Sequence, residues 1–485
     1  MPDTDRSLEP DAAGMRQLVA RAMERIVEHI ETLPAQRAGY IEGGTELARS
    51  LREGLPEEGR PFDELLHVLF DRAAPVSFNT AGPGYLAYIP GGGLFESAVA
   101  DLIGDTLNRY VGVWLAAPGL AQIEANVVLW LCQLLGYPDN ARGFLTSGGS
   151  LANFSAVVTA RQALLGENFL SGTIYTSDHT HHSIQKAAML AGFPARNVRG
   201  IPTDERYCVR VDAMAQQVAD DRSAGLSPFM IVGNAGTTNT GGVDDLAGLA
   251  DLAEREGLWL HTDAAYGGFF MLTERGRAVM RGIERSHSVT LDPHKGMFLP
   301  YGTGSLLVRD GAALERAHAL DADYLPSMPD APDMMDFSRL SPELSRPFRG
   351  IRVWLPVKLH GIGAFRRNLD EKLDLTHWAT EQLRAIPGIE IVAEPQLSIV
   401  AFRYSRAGAS VEELNALNRR LIGLINGRQR VHLSATMLGD RYVLRICVLS
   451  FRTHMERMRE GLDDVRAAVA HVGEEGGVRS TGERP

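Results

Sequence analysis

The segment LDPHKGMFLP, residues 291–300, sets a lysine, Lys295, inside an apolar run and directly after a histidine. Lysine is among the residues least often buried, because its ammonium loses hydration there. Just upstream stands SVT, so Lys295 follows an apolar strand of the form SVTLD. Two readings compete at such a place. A snorkelling lysine lays its stem along the surface and keeps its head in water. A buried lysine has its pKa pushed down, and the neutral amine is a nucleophile that forms Schiff bases with carbonyls. The surroundings decide between them.

The same grammar recurs on both sides. From about residue 95, apolar strands alternate with longer amphipathic segments: GFLTS then SLANFSAVVTARQALL, GTIYTS then HSIQKAAMLAGF, FMIVGNAG then DDLAGLADLAEREG. LWLHTDAA, SVTLDPH and GSLLVRD continue the series. Strands alternating with helices predict an α/β domain, a mostly parallel sheet covered by helices on both faces. Ligands in such sheets bind beyond the carboxyl ends of the strands. Before this region, MRQLVARAMERIVEHIETL (15–33) repeats apolar residues at helical spacing, and FDELLHVLFDRA (62–73) reads as a short helix. After it, IEIVAEP, LSIVAFRYS and YVLRICVLS read as strands and SVEELNALNRRLIGLING as a helix. The expected division is a helical N-terminal segment (1–94), a large domain (95–354) and a small α+β C-terminal domain (355–485).

The totals set limits. A chain of 485 residues exceeds one ordinary core. A formal net charge of −11 argues against non-specific binding to nucleic acid, which needs phosphates neutralised by Lys and Arg. Three scattered cysteines form neither a CxxC pair nor a disulfide framework, which fits a reducing compartment. The acidic, polar N-terminus is no secretory signal, and no apolar stretch is long enough for a bilayer. A cytoplasmic protein without a membrane partner is expected.

The residues after each strand carry the chemistry. SGGSLANFSA puts two glycines and Ser150 before an amphipathic helix, where free N–H groups and the helix dipole gather an anion. A plain turn with Ser150 as N-cap is the simpler alternative. Gly148-Gly-Ser-Leu-Ala152 is a near miss to the nucleophile elbow of a serine hydrolase, lacking its last glycine. DHTHHS carries His179, His181 and His182, with no carboxylate or cysteine at metal-ligand spacing, so no metal site is expected. A ring stacked on a flat cofactor is another use for one of them. Asp263, in LWLHTDAAYGG, ends a very apolar strand, where a carboxylate is costly unless a cation accepts it. A phosphate cradle, a stacking ring, an acid and a carbonyl-reactive lysine together suit one cofactor, pyridoxal 5′-phosphate (PLP).

On these pieces the chain resembles the group II PLP-dependent amino-acid decarboxylases. The resemblance runs from about residue 15 to about 470 and rests on HTDAAYGG, DPHK, the histidine of DHTHHS, and PFRGIRVW. It implies the PLP-dependent transferase fold (aspartate aminotransferase-like, fold type I) and a homodimer with active sites at the interface. It makes Lys295 the Schiff-base lysine with His294 beside it, Asp263 the partner of the pyridine nitrogen, and Ala265 the packing under the ring. His181 becomes the stacking histidine, Gly149 and Ser150 the phosphate contacts, and Thr238 a site threonine. Asp292 stands where many relatives have asparagine, and a carboxylate there repels phosphate unless turned away or protonated. Tyr324, in LDADYLPSM, resembles the tyrosine that returns a proton to the substrate; phenylalanine there marks relatives that make aldehydes.

FNTAGPGYLAYIPGGG (78–93) and RYVGVW (109–114) are expected to line the substrate pocket through Thr80, Tyr88, Ile89, Pro90, Tyr110 and Gly112. Tyr88 and Pro90 match the aromatic decarboxylases, whereas Thr80, Ile89 and Gly112 replace larger aromatic residues. The expected reaction is decarboxylation of an L-amino acid, foremost an aromatic one. Acidic or basic amino acids, oxidative deamination or another PLP lyase reaction, and a non-catalytic binding subunit are the alternatives.

Overall fold

A computed structural model describes residues 8–320 and 333–479 of the chain. Seven strands form the larger sheet: β1 Arg142–Thr146, β2 Gly172–Ser177, β3 Val198–Ile201, β4 Ser227–Asn234, β5 Trp259–Asp263, β6 Ser288–Leu291 and β7 Gly304–Val308. Their order is β1-β7-β6-β5-β4-β2-β3. β7 runs antiparallel to both its neighbours, and the other pairs are parallel. β1 therefore points the same way as β2, β4, β5 and β6, and these strands end along one edge. Register reinforces this, since Asn234 faces Asp263 and Asp263 faces Thr290 across neighbouring strands.

The strands read as continuous apolar runs because both faces are covered. Every residue of β2, β5, β6 and β7 is buried. One core joins the sheet to its helices through Phe144, Ala156, Ile231, Leu260 and Leu306.

The C-terminal part folds on a second sheet, ordered β10-β11-β9-β8 and antiparallel throughout. Its strands are β8 Ile389–Ala393, β9 Ile399–Tyr404, β10 Ser434–Leu438 and β11 Arg441–Cys447. Helices Ile362–Arg384, Val411–Gly427 and Met455–Arg479 surround it. Ser410 and Glu413 form a capping box that starts the second of these. A separate core holds Leu375, Phe402, Leu421, Leu444 and Val465 together.

The early residues are tied to this sheet. Leu86 N–H donates to His432 O at 3.0 Å, and Cys447 N–H donates to Leu86 O at 2.9 Å. The first helix, Ala12–Thr32, is capped by Asp11 and buries none of its residues. Its Leu18, Val19 and Val27 are exposed. Among the described residues, no helix is long and apolar enough to cross a membrane, and no group of three or more His, Cys, Asp or Glu is placed to hold a metal ion.

Candidate active site

A cavity of about 290 Å³ opens at the carboxyl edge of the larger sheet. Lys295, Asp263, His181, Gly149, Ser150, Thr238, Ala265, Asp292 and His294 all line it. Residues read separately from five strand ends thus meet at one place.

Lys295 sits in the single helical turn Pro293–Gly296, which Pro293 opens directly after β6. Its Nζ lies 2.9 Å from Asp292 Oδ2. Here the structure corrects the expectation of a lowered lysine pKa. Burial acts to lower it, but the Asp292 carboxylate outweighs burial, and the net direction is upward. Lys295 is held as an ammonium by a neighbour three residues before it.

Asp263 is buried at the end of β5. Its Oδ1 accepts from Ala265 N–H at 3.1 Å, and its Oδ2 from Asn153 Nδ2 at 3.0 Å. Asn153 is buried in the helix Gly149–Leu164. Its Nδ2 also donates to Ser183 Oγ at 2.8 Å. Its Oδ1 accepts from Thr290 Oγ1 at 2.7 Å and lies 3.1 Å from His261 Nε2. Ser183 Oγ in turn lies 2.8 Å from His181 Nδ1. One amide therefore orients both the acid and, through Ser183, the histidine. His181 is exposed by area, at the cavity mouth. The walls nevertheless desolvate its ring and lower its pKa, with Asp263 opposing, so the ring is neutral near pH 7.

The helix Gly149–Leu164 starts at the cavity without a side-chain cap, which leaves first-turn N–H groups to face an anion. A Cβ on Gly149 would come within 3.1 Å of Asp292 Oδ2 and 3.4 Å of Ala265 Cβ, so glycine keeps the cradle open. His294 Nδ1 lies 2.6 Å from Thr303 O. Its Nε2 is 3.6 Å from Asp292 Oδ2. Burial lowers its pKa, against the pull of Asp292.

The expected substrate residues lie elsewhere: none of the six lines this cavity. Thr80 is near Tyr301, where it opposes the rise that burial gives the Tyr301 hydroxyl. Ile89 and Pro90 are buried, Tyr110 is exposed, and Tyr88 is 55% exposed in this chain. Tyr88 adopts the left-handed region at φ 49°, a conformation uncommon outside glycine. Gly112 packs its Cα against Leu344, whose carbonyl oxygen would stand 2.4 Å from a Cβ there. Glycine at 112 thus serves a close backbone approach. The segment around Tyr88 still runs beside the cavity, because a Cβ on Gly91 would meet His294 O at 2.1 Å. Tyr324 lies outside the described residues.

The reading of the sequence missed Asn153, Ser183 and Arg445. Arg445 is buried on β11. It donates to Ser434 Oγ at 2.8 Å, Asn239 O at 2.8 Å, Tyr88 O at 3.4 Å and also to Thr238 O. It thereby clasps the cavity loop to the Tyr88 segment, and burial lowers its pKa. A signal existed for Asn153, a polar amide between the apolar positions Ala152 and Ala156 of a helix. None existed for the bond between Ser183 and Asn153, or for Arg445, whose partners Thr238 and Asn239 are remote in sequence.

The arrangement fits a flat aldehyde carrying a phosphate: an amine, an oriented carboxylate, a neutral ring and an uncapped helix start share one cavity. Comparison with known proteins agrees. The family profile described as the pyridoxal-dependent decarboxylase conserved domain matches residues 45–405. An aromatic-L-amino-acid decarboxylase of Bacillus atrophaeus is 36% identical over 96% of this chain and 98% of its own length. A phenylacetaldehyde synthase of Arabidopsis thaliana is 26% identical over 92% of this chain and 93% of its own. Among solved structures, Oryza sativa TDC with PLP and tryptamine superposes with a TM-score of 0.91 at 25% identity, covering 96% of this chain and 99% of that one.

Proposed function

Because the chain belongs to the pyridoxal-dependent decarboxylases, we propose that it removes the α-carboxyl group of an aromatic L-amino acid, releasing carbon dioxide and the amine. The convergence of Lys295, Asp263, His181 and the 149–150 helix start in one cavity carries this reading. The aromatic choice is supported by the decarboxylase from Bacillus atrophaeus, which matches nearly end to end.

Bound PLP supplies an electron-withdrawing ring that draws the electron pair out of the scissile bond. The chain's residues do the rest. Lys295 would hold the cofactor through its side-chain amine. Asp263 pairs with the ring nitrogen, held in place by Asn153 and the Ala265 N–H. His181 and Ala265, both lining the cavity, would hold the cofactor's flat ring. Gly149, Ser150 and Thr238 hold the phosphate end, and the helix dipole favours its charge. Thr80, Tyr88, Ile89 and Pro90, whose segment runs beside the cavity, shape the side-chain pocket with Tyr110. Tyr324 delivers a proton to the substrate Cα after carbon dioxide leaves. Positioning the substrate for cleavage would contribute much of the rate.

The working form in this proposal is a cytoplasmic homodimer. Support comes from the apolar side chains Leu18, Val19 and Val27 exposed on the first helix, joined by Leu102, Ile103, Leu107 and Leu115. Sedimentation at micromolar concentration tests it, and a monomer at that concentration contradicts it. A panel of L-amino acids scored for carbon dioxide, amine and peroxide tests the activity. Tryptophan, tyrosine, phenylalanine or a hydroxylated relative is expected to be the preferred substrate. Turnover confined to glutamate, aspartate or a basic amino acid overturns the aromatic assignment.

A further inference from the structure

Asp292 carries the wrong sign of charge for a phosphate cradle. Its carboxylate is 2% exposed. Oδ2 is shared between Lys295 Nζ at 2.9 Å and His294 Nε2 at 3.6 Å. Oδ1 is buried without a hydrogen-bond partner. The carboxylate is wedged where a Cβ on Gly149 would stand 3.1 Å from Oδ2, and one on Gly304 2.7 Å from Oδ1. It thus lies against the first residue of the helix whose free N–H groups attract an anion. Before any phosphate arrives, this helix start already faces an anion of the chain's own.

A carboxylate and a phosphate side by side in a dry pocket cannot both keep their full charge without a further cation. Lys295 is the cation paired with Asp292, and the cofactor's carbonyl claims the same nitrogen. When the Lys295 ammonium joins that carbonyl, two of its protons leave with the carbonyl oxygen as water and the third stays on nitrogen. The covalent step therefore takes no proton from solvent. Among the described residues, the other groups facing the pair offer no spare positive charge close by. Asp263, from β5, is itself an acid. His181 and His294 are both held neutral by burial. Tyr301 meets His294 at a tilt of 60°, with ring centroids 5.7 Å apart. The Arg352 guanidinium is engaged by Asp101, Tyr301 O and Thr303 Oγ1.

We propose that Asp292 makes cofactor binding proton-coupled: the phosphate-bearing cofactor enters with one proton from solvent, which rests on the Asp292–His294 pair. The proposal rests on the reading of this cavity as the PLP site. It makes affinity for PLP rise as pH falls, while pyridoxal, which has the same ring and aldehyde but no phosphate, escapes the coupling.

Calorimetry in buffers of different ionisation enthalpy tests this on the full chain freed of cofactor, by counting protons taken up per ligand bound. PLP is expected to bring about one proton more into the wild type than into Asp292→Asn, with no such difference for pyridoxal. From pH 7 to 8 the wild type is expected to lose PLP affinity up to about tenfold more than the variant. Equal proton counts with PLP in the two proteins overturn the proposal. Should Asp292→Asn not fold, the wild type alone decides: PLP must carry in about one proton more than pyridoxal, and equality overturns the coupling. A protein that binds neither ligand overturns the cofactor reading itself, an outcome distinct from binding without proton uptake.

Discussion

Asn153→Ala perturbs the site while leaving in place every side chain proposed to meet the cofactor. The side chain makes four hydrogen bonds, to Asp263, Ser183, His261 and Thr290. Alanine removes them all and leaves Asp263 with the Ala265 N–H as its donor among the described residues. Three of the lost bonds join neutral groups, at about 1 kcal/mol each, and the one to the carboxylate contributes about 1.5–3 kcal/mol. Water entering from the adjoining cavity recovers part of this, so the net loss of stability is expected to be about 3–5 kcal/mol. Denaturant unfolding of wild type and variant, each freed of cofactor, measures it. The same loss frees the Asp263 carboxylate to rotate, so PLP binding and turnover should both weaken, read by cofactor titration and by amine release. A stability loss below about 1 kcal/mol with unchanged cofactor affinity refutes the claim that Asn153 organises the site.

Other perturbations have equally definite outcomes. Lys295→Ala should abolish turnover, and near-normal amine release from that variant contradicts the mechanism. Tyr324→Phe is expected to lose amine product and gain aldehyde and hydrogen peroxide in the presence of oxygen; an unchanged product ratio denies the tyrosine its proton-delivery role. Burial lowers the pKa of His318 from 6.5 to about 4. The unfolded chain therefore binds a proton that the native state refuses, and the stability from this residue is lost as pH falls from about 6.5 toward 4. By pH 5 the loss is about 2 kcal/mol, and His318→Gln should show a correspondingly shallower decline between pH 7 and 5 in denaturant unfolding. Parallel declines in the two proteins rule out His318 as a source of acid sensitivity.

The sheet and its cavity were legible because each functional residue follows an apolar strand, and strand ends converge in space. Lys295, Asp263, His181 and the 149–150 turn were separate readings that the fold gathers. The edges were harder. β3 carries Arg199 and Gly200, and β10 is a short edge strand of mixed polarity, so neither shows the buried-strand pattern. The antiparallel course of β7 is invisible in GSLLV, since a fully buried run reads alike in either direction. The state of Lys295 depended on Asp292, whose carboxylate turns back onto Nζ rather than away from it. Gly112 looked like missing bulk in a pocket, and its neighbour proves to be the Leu344 carbonyl. The Asn153 network joins residues over a hundred positions apart, which one-dimensional periodicity does not register.

The most direct test is the absorption spectrum of the purified protein supplemented with PLP, before and after borohydride, followed by mapping of the modified peptide. The account predicts a visible band that borohydride removes, with the reduced cofactor fixed on Lys295. No such band, or a cofactor fixed on another lysine, contradicts it.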